Sequence, residues 1–309
     1  MVIPTRDRWD LLARTLKGAL AQEGVSIEVV VVDDGSTTKA PSWVSADTRV
    51  VACRSEVSHG VAHGRNIGIQ RATGDWIAFL DHDDLWAPQK LRVQLDRAAL
   101  ASADFVYSAA VIVDGRLNPE RVLRPPPSEE LRGSIAVENV IPAGQSNVLA
   151  RTGLVRELGG FNESYRYLAD WEMWIRLAGA GAAAACPDVH VAYVMHDTSM
   201  HAVDRIPRTE FDKLASEYLG DRAARRKAKI FGAKWRAHGH RRAGHRLAAS
   251  REYLCAGWAH RSPAMALRAL AVLGGESLMG VGCAPAELPV AAEVAWLDRF
   301  RASAYEAPR

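Results

Sequence analysis

The sequence predicts an α/β fold, in which a mixed, mostly parallel sheet is flanked by helices, followed by an α-helical C-terminal extension. Three observations support this prediction. Apolar, β-branched runs alternate with segments of helical periodicity, two of these runs end in Asp-rich loops, and the composition shifts to Ala, Arg and Leu after Asp204. In such sheets ligands bind beyond the carboxyl ends of the strands, so the two acidic loops should share one crevice.

The strands and helices follow one another in a regular order. A run of mostly β-branched residues, such as residues 27–32, is typical of a strand covered on both faces, whereas apolar residues at three- and four-residue spacing indicate helices. We predict strands at 2–3, 27–32, 49–53, 76–80, 105–113, 146–150 and 191–195, and helices at 11–24, within 60–74, and at 88–100.

Only three residues precede Pro4, whereas a strand usually has about five to six. Either the first strand is short, or the natural start of the protein lies upstream of Met1.

The bulk properties bound the class of protein. A chain of 309 residues can form one large core with an appendage, and we predict a first domain over 1–203 and a helical extension over 204–309. The net charge of +3 does not favour nucleic acid as a partner. Four scattered cysteines without a CxxC pair fit a reducing compartment. The N-terminus has no signal-peptide pattern, and no apolar run reaches ~18 residues, so we expect a cytoplasmic protein.

The most informative stretch is 76–86, where an apolar strand ends in Asp81-His82-Asp83-Asp84. Three carboxylates within four residues repel one another and are costly to desolvate, so a cation should compensate them. Mg²⁺ or Mn²⁺ carrying a diphosphate would do so, because these ions bind carboxylate and phosphate oxygens. A solvated acidic loop that caps the next helix is the alternative.

The C-terminal extension is basic and helical over 221–234, 241–258 and 263–273. Three interpretations are open. The basic residues can form a solvated helical face, dock on an anionic membrane surface as a peripheral contact, or cover the cleft in which a substrate binds.

Six motifs occur in an order and spacing that resemble those of family 2 glycosyltransferases with the GT-A fold. They lie at 2–8 (VIPTRDR), 30–36 (VVVDDGS), 64–68 (GRNIG), 74–84 (GDWIAFLDHDD), 159–163 (GGFNE) and 169–174 (ADWEMW). The resemblance implies a metal-dependent, inverting transfer of a sugar from a nucleoside diphosphate, with UDP expected, to a hydroxyl acceptor. The acceptor could be a saccharide, a lipid-linked sugar or a small molecule.

The resemblance assigns the nucleotide to residues of the first motifs. Pro4, Thr5 and Arg6 would line the nucleobase edge, and Asp34 would accept the imide N–H of uracil. A turn with Asp and Ser as N-caps is the structural alternative for Asp34 and its neighbours. Arg65 would lie beside the diphosphate, unless it is only a solvated charge on a helix.

The acidic strand end corresponds to the DxD motif of the family. The resemblance implies that Asp83 coordinates the metal and that Asp81 binds the ribose or the hydration shell of the metal. Asp84 could instead cap the helix that follows. His196 is a candidate metal ligand or diphosphate contact, and a structural role is an equal alternative.

Asp170 is the candidate catalytic base, since the second member of an acidic pair deprotonates the attacking hydroxyl in this family. Here Ala169 replaces the first acid, which removes a neighbour that would raise the pKa of Asp170. Asp170 could also be only a helix N-cap, and Glu172 is the fallback base. The polar residues at 145–147 are expected to line the acceptor or sugar pocket.

Two rival functions differ from this interpretation. A nucleotidyltransferase would carry a Gly-rich basic loop after its first strand, and residues 5–9 contain no glycine. A non-catalytic nucleotide-sugar-binding protein would be favoured by loss of Asp83 or Asp170, and both are present. A dehydrogenase is disfavoured because no GxGxxG motif follows a strand.

Overall fold

The computed structural model describes residues 1–196, 208–274 and 287–302. The contacts divide the chain into two compact units. The first comprises Met1–Ile135, Val140–Val194 and the described part of Glu287–Arg309, and the second comprises Ala136–Asn139 and the described part of Met195–Ala286. The predicted boundary between residues 203 and 204 lies outside the described residues and stays a prediction. Residues 287–302 belong to the first unit, whereas the sequence-based division assigned them to the extension.

A parallel three-stranded sheet opens the first unit, in the order β1 (Val2–Thr5), β2 (Val29–Asp34) and β3 (Val50–Ser55). Every residue of β1 and β2 is buried. The strand predicted over 27–32 begins two residues later than expected, because Ile27 and Glu28 precede β2 and are partly exposed. The register sets Thr5 beside Asp33. Leu80 N–H donates to the carbonyl of Val2 at 3.0 Å, which brings residues 79–80 alongside β1.

The second sheet has six strands: β4 (Trp76–Ala78), β5 (Leu85–Trp86), β6 (Phe105–Val113), β7 (Pro119–Leu123), β8 (Leu149–Arg151) and β9 (Ala183–Val194). They lie in the order β4-β8-β6-β9-β5, with β7 paired to β6. The pairing of β6 with β9 is parallel, and the other pairings within this sheet are antiparallel. Antiparallel pairing therefore has a larger share than the sequence suggested. One such pair is the hairpin of β6 and β7, and the others join β4 to β8, β5 to β9 and β6 to β8.

Helices cover the sheets of the first unit. They are α1 (Trp9–Leu20), α2 (Val61–Arg71), α3 (Lys90–Ala101), α4 (Ser128–Ser134), α5 (Thr152–Glu157) and α6 (Ala169–Ala180). Helix α2 packs closely on β1 at Gly68, which has no side chain. A Cβ at this position would lie only 2.2 Å from Cγ1 of Val2. This close approach brings the side chains on the first turns of α2 to the carboxyl ends of β1 and β2.

The described end of the chain, residues 287–302, forms a strap on the first unit with the short helices α11 (Ala291–Val294) and α12 (Asp298–Ala302). Leu297 and Phe300 join a core cluster with residues of β6 and β9. Arg124 after β7 pairs with Glu287 at 2.7 Å and with Glu293 at 2.8 Å.

The second unit is helical, as predicted for this part of the chain. It contains α7 (Arg208–Tyr218), α8 (Arg222–Arg242), α9 (Arg246–His260) and α10 (Pro263–Gly274). Small side chains such as Ala237, Ala249 and Ala269 form most of its core, which lets the helices pack closely. Asp221 caps α8 by accepting the backbone N–H of Ala224 at 2.8 Å. Among the described helices, none combines the length and apolar character that crossing a bilayer requires.

Candidate functional site

The carboxyl ends of β1, β2 and β4 meet at one edge of the first unit, as the sequence predicted. Pro4 and Thr5 are buried at the end of β1, whereas Arg6 is exposed. The ring Nδ1 of His82 lies 3.3 Å from the carbonyl oxygen of Pro4. The hydroxyl of Thr5 is buried and has no hydrogen-bond partner among the described residues, so it offers an unused polar atom to a ligand.

The two acids at the end of β2 have different partners. Asp33 accepts the backbone N–H of Ser36 at 2.9 Å and binds Arg54 at 2.5 Å, which holds the turn after β2. The turn of the structural alternative is therefore present, but its helix N-cap is wrong, because the next helical turn, Ser42–Ser45, begins after Pro41 without a side-chain cap. Asp34 accepts the hydroxyl of Ser58 at 2.7 Å and two backbone N–H groups of residues 59–60 at 2.9 Å. Asp34 thus fixes the loop that leads into α2, and its contact with uracil stays a prediction.

Arg65 on α2 is buried, so the interpretation as a solvated helix charge is wrong. Its Nη2 donates to Oδ1 of Asp81 at 3.0 Å, and its guanidinium lies 5.2 Å from the ring centroid of Phe161. Its Nε is buried without a partner among the described residues. A buried cation with an unused donor at the end of the sheet is suited to an anionic ligand.

The acidic strand end forms a compact cluster. Asp81, Asp83 and Asp84 each offer a carboxylate oxygen, and these three atoms lie within 4.8 Å of one another. Burial and the charges of Asp83 and Asp81 raise the pKa of Asp84 well above its usual value. Closely spaced hard oxygens of this kind suit Mg²⁺ or Mn²⁺, so the residues present fit the predicted metal. Asp83 and Asp81 would hold it.

Asp84 does not cap the next helix, contrary to one of the sequence-based alternatives. Helix α3 begins after Gln89 without a side-chain cap. The fully buried carboxylate of Asp84 instead accepts the hydroxyl of Ser146 at 2.5 Å and the N–H of Val194 at 3.1 Å. Asp84 therefore ties the acidic loop to the end of β9, which holds its two neighbours in place.

A short 3₁₀ turn, Gly144–Ser146, lines the acidic cluster before β8. Gln145 donates to the carboxylate of Asp81, and the N–H of Asp81 donates to the hydroxyl of Ser146 at 3.1 Å. Gln145 therefore lies beside the acidic cluster, and its place in an acceptor or sugar pocket stays a prediction. Ser146 and Asn147 are fully buried, so they do not line a pocket. The side-chain amide of Asn147 exchanges hydrogen bonds of 2.6–2.8 Å with Ser108, and the hydroxyl of Ser146 donates to Asp84.

Asp170 lies in the first turn of α6 and is partly buried. Burial raises its pKa from 3.8 to about 6, the positive charge of Arg65 opposes this rise, and the charge of Asp81 adds to it. Ala169 beside it is buried. The missing acidic neighbour is thus replaced by desolvation, which raises the pKa of a carboxyl in the same direction. A carboxylate with a pKa near 6 is suited to general-base work at neutral pH.

Glu172 is not placed for catalysis. Its carboxylate is buried and accepts two hydrogen bonds from Arg176 on the next turn, at 2.8 and 2.7 Å. Arg176 also donates to the carbonyls of Leu158 and Gly160 at 2.7 Å. Glu172 therefore anchors α6 to the turn after α5, which leaves Asp170 as the candidate base.

His196 follows β9 and is partly buried within the second unit of the chain. Its role as a metal ligand or diphosphate contact stays a prediction.

Tyr193 on β9 is a further residue of this region that the sequence did not indicate. Burial and the charges of Asp84, Asp83 and Asp81 raise the pKa of its hydroxyl well above the usual value, and Asp170 adds to this effect. The phenol therefore stays protonated beside the carboxylates and can donate a hydrogen bond. A single tyrosine near the end of a strand carries no motif that could have revealed it.

Gly144 is the glycine on which the geometry of the candidate base depends. It has a φ of +49°, and a Cβ at this position would lie 2.6 Å from Oδ2 of Asp170. We expect Gly144→Ala to displace that carboxylate and lower the rate of sugar transfer by up to about 10²-fold, while donor affinity changes little. Steady-state kinetics with separate kcat and KM values measures this. Gly153→Ala is the matched control, because no atom lies within 4 Å of its Cβ position; equal kinetics for both variants would contradict the expectation.

Comparison with known proteins agrees with this geometry. The family model for glycosyl transferase family 2 matches residues 1–159, just over half of the chain. The chain belongs to glycosyl transferase family 2. Membership of this family favours sugar transfer over the nucleotidyltransferase and non-catalytic alternatives.

Two curated relatives are named for succinoglycan biosynthesis and for glucosyl transfer. The succinoglycan biosynthesis protein ExoO of Rhizobium meliloti is 33% identical over 219 residues, which cover 66% of this chain and 63% of ExoO. The Escherichia coli protein WfaP, named UDP-Glc:alpha-D-GlcNAc-diphosphoundecaprenol beta-1,3-glucosyltransferase, is 27% identical over 62% of this chain and 75% of WfaP. The chain thus spans about three fifths of the length of ExoO and of an uncharacterized Haemophilus influenzae glycosyltransferase that also matches.

Solved structures confirm the GT-A type of fold. TarS of S. aureus, residues 1–349 in complex with UDP-GlcNAc, superposes with a TM-score of 0.62 at 16% identity, covering 88% of this chain and 89% of TarS. The UDP complex of the same protein gives a TM-score of 0.60 at 15% identity, with 94% and 95% coverage. At this identity the likeness concerns the fold alone.

Proposed function

We propose that this glycosyltransferase is metal-dependent and inverting, and that it moves a sugar from a UDP-sugar to a hydroxyl acceptor. One observation carries the proposal. A partly buried carboxylate with a raised pKa, Asp170, interacts electrostatically with the same buried cation, Arg65, that binds Asp81 of the metal-type cluster. Donor-binding and base chemistry therefore lie within reach of one another, as a single displacement requires.

The donor would occupy the edge formed by β1, β2 and β4. The unused donors of Thr5 and Arg65 suit the polar and anionic parts of a nucleoside diphosphate. Asp81 and Asp83 would hold Mn²⁺ or Mg²⁺. When bound, the ion would neutralise negative charge on the departing nucleoside diphosphate. The UDP and UDP-GlcNAc complexes named for the TarS structures support UDP as the nucleotide.

The transfer step needs a base at the acceptor. The carboxylate of Asp170 would accept the proton of the attacking hydroxyl while the oxygen of that hydroxyl bonds to the anomeric carbon. The bond between the anomeric carbon and the diphosphate oxygen would break at the same time, and its electron pair would stay on the departing nucleoside diphosphate. The sugar would thus be joined to the acceptor with inverted configuration. Gly144 and Gln145, which lie against Asp170 and Asp81, would border the reacting groups.

The acceptor class is inferred from relatives rather than from a pocket. WfaP and WfgD of Escherichia coli carry names that specify a GlcNAc-diphosphoundecaprenol acceptor, which supports a saccharide on a lipid carrier for this chain. An enzyme with such an acceptor would work in the cytoplasm at the inner face of the membrane. A free saccharide or a small molecule is the alternative acceptor.

A thermal-shift panel tests the donor assignment. A ligand that binds only the folded state raises the free energy of unfolding by RT ln(1 + [L]/Kd), or roughly 2.7 kcal/mol at one hundred times Kd. We expect UDP with Mn²⁺ to raise the melting temperature more than GDP or ADP does, and more than UDP with a chelator does. A purine nucleotide that stabilises the protein best would contradict UDP, and an equal shift with the chelator would contradict metal dependence.

A further inference from the structure

Helix α9 carries an apolar stripe that faces solvent. Trp258 is 91% exposed, Leu247 79% and Leu254 49%. Together with the exposed Arg251 they recur at intervals of four, three and four residues, so they lie along one side of the helix. The core-facing side of α9, with Ala249, Tyr253 and Ala256, is a separate one and is filled by neighbouring helices. An apolar stripe outside the core of its own unit indicates an interaction surface.

Helix α10, which packs against α9, extends this pattern. The hydroxyl of Ser250 donates to the carbonyl of Ala269 at 3.0 Å, which fixes the two helices side by side. Leu267, Leu270 and Leu273 are 46–65% exposed. Met265, Ala269 and Val272 take the buried side of α10. We call the six exposed residues of both helices the outer hairpin face; they are Leu247, Leu254, Trp258, Leu267, Leu270 and Leu273.

The surrounding charge indicates what covers this face. Residues 208–274 contain 15 Lys and Arg but only five Asp and Glu, a net charge of +10 in a chain whose total is +3. Arg246, Arg251 and Arg261 are exposed on α9 or at its ends. A helical segment of this net charge attracts an anionic partner, whereas two copies of it repel each other. Apolar side chains that include a tryptophan, with basic residues beside them, match the composition of helices that lie in a membrane interface.

We propose that the outer hairpin face binds the surface of an anionic lipid bilayer, with the leucines and Trp258 among the acyl chains and the arginines at the headgroups. A tryptophan is well suited to this depth, because its ring is apolar and its indole N–H is polar. Basic residues add attraction to anionic headgroups that falls within a Debye length, so the binding should weaken with salt. Vesicle binding needs neither donor nor acceptor, so it can succeed or fail independently of the proposed sugar transfer.

Vesicle flotation of the full chain tests the proposal. We expect binding to vesicles of phosphatidylcholine with phosphatidylglycerol, much weaker binding to pure phosphatidylcholine, and loss of binding at high salt. The double variant Leu254→Ser/Trp258→Ser should lower the partition coefficient by about tenfold or more, and Arg251→Glu should lower it on anionic vesicles only. Blue-shifted tryptophan emission on binding should be smaller in Trp258→Phe.

Matched controls come from the first unit. Leu100 at the end of α3 is 79% exposed, like Leu247, and Arg71 at the end of α2 is exposed, so Leu100→Ser and Arg71→Glu should bind vesicles as the wild type does. Unchanged circular dichroism and UDP-dependent stabilisation verify that each variant is folded. Absence of wild-type binding to anionic vesicles, or equal binding by the hairpin and control variants, would overturn the proposal. The proposal would also be overturned if the protein formed a concentration-dependent dimer that the hairpin variants abolish, and did not bind vesicles.

Discussion

Replacing Asp83 by asparagine should remove most of the effect that Mn²⁺ has on the affinity for UDP. The substitution deletes one negative charge from a cluster whose three carboxylate oxygens lie within 4.8 Å of one another. Asp84 cannot compensate, because its carboxylate is fully buried and already accepts hydrogen bonds from Ser146 and Val194. Mutation of a residue that hydrogen-bonds to a metal ligand typically lowers metal affinity about 10–100-fold, so removal of a ligand itself should lower it about 100-fold or more.

Titration calorimetry of UDP with and without Mn²⁺ measures this effect. The wild type should bind UDP more tightly with the ion, and Asp83→Asn should bind it equally weakly in both conditions. Asp75→Asn, an exposed acid just before β4, is the control and should behave like the wild type. If Mn²⁺-dependent affinity survives in Asp83→Asn, the assignment of the metal to Asp83 is wrong, and Asp81 becomes the residue to replace.

Local patterns in the sequence were sufficient for much of the fold. The strand predicted over 105–113 has those bounds in the structure, and the β-branched run of β2 is buried along its whole length. The two acidic loops meet because parallel strands end at a common edge, and this follows from the alternation of strands and helices. The spacing of apolar residues and the order of strands and helices along the chain were enough to predict these features.

Features that depend on contacts between residues far apart in the chain could not be predicted from the sequence. Asn147 is polar and adjacent to an apolar strand, which suggested a pocket residue, yet its amide satisfies buried backbone groups of β6 and the preceding loop. The pairing of β8 and β5 with strands far along the chain is antiparallel, which no local pattern specifies. The strap at 287–302 adds Leu297 and Phe300 to the first unit from the far end of the sequence. Each of these is decided by tertiary contacts.

The tuning of the candidate base shows the same division. Sequence alone indicated that Asp170 lacks its usual acidic neighbour, and this put the pKa of the base in question. The structure supplies a different cause, because burial raises that pKa to about 6 against the attraction of Arg65. A site can therefore keep the property while changing the residue that commonly produces it.

Asp170→Asn should lower the rate of sugar transfer by at least about 10²-fold, the low end for loss of a general base, while UDP-sugar affinity stays close to that of the wild type. Asparagine keeps the size of the side chain but cannot accept a proton at neutral pH. Donor hydrolysis by water serves as a first readout, followed by transfer once an acceptor is found. Asp83→Asn should instead lose donor affinity and transfer together, so the two variants separate binding from chemistry.

The pH dependence of the same variant tests the cause of the effect. Because only ionised Asp170 accepts a proton, wild-type kcat/KM should rise tenfold per pH unit below about pH 6 and level off above it. The folded protein also holds the proton of Asp170 up to about pH 6, whereas an unfolded chain releases it near 3.8, so this group lowers the free energy of unfolding as the pH rises between those values. Asp170→Asn should therefore raise the melting temperature more at about pH 8 than at about pH 4. A variant with full transfer activity, or with an unchanged pH profile of its residual rate, would exclude Asp170 as the base.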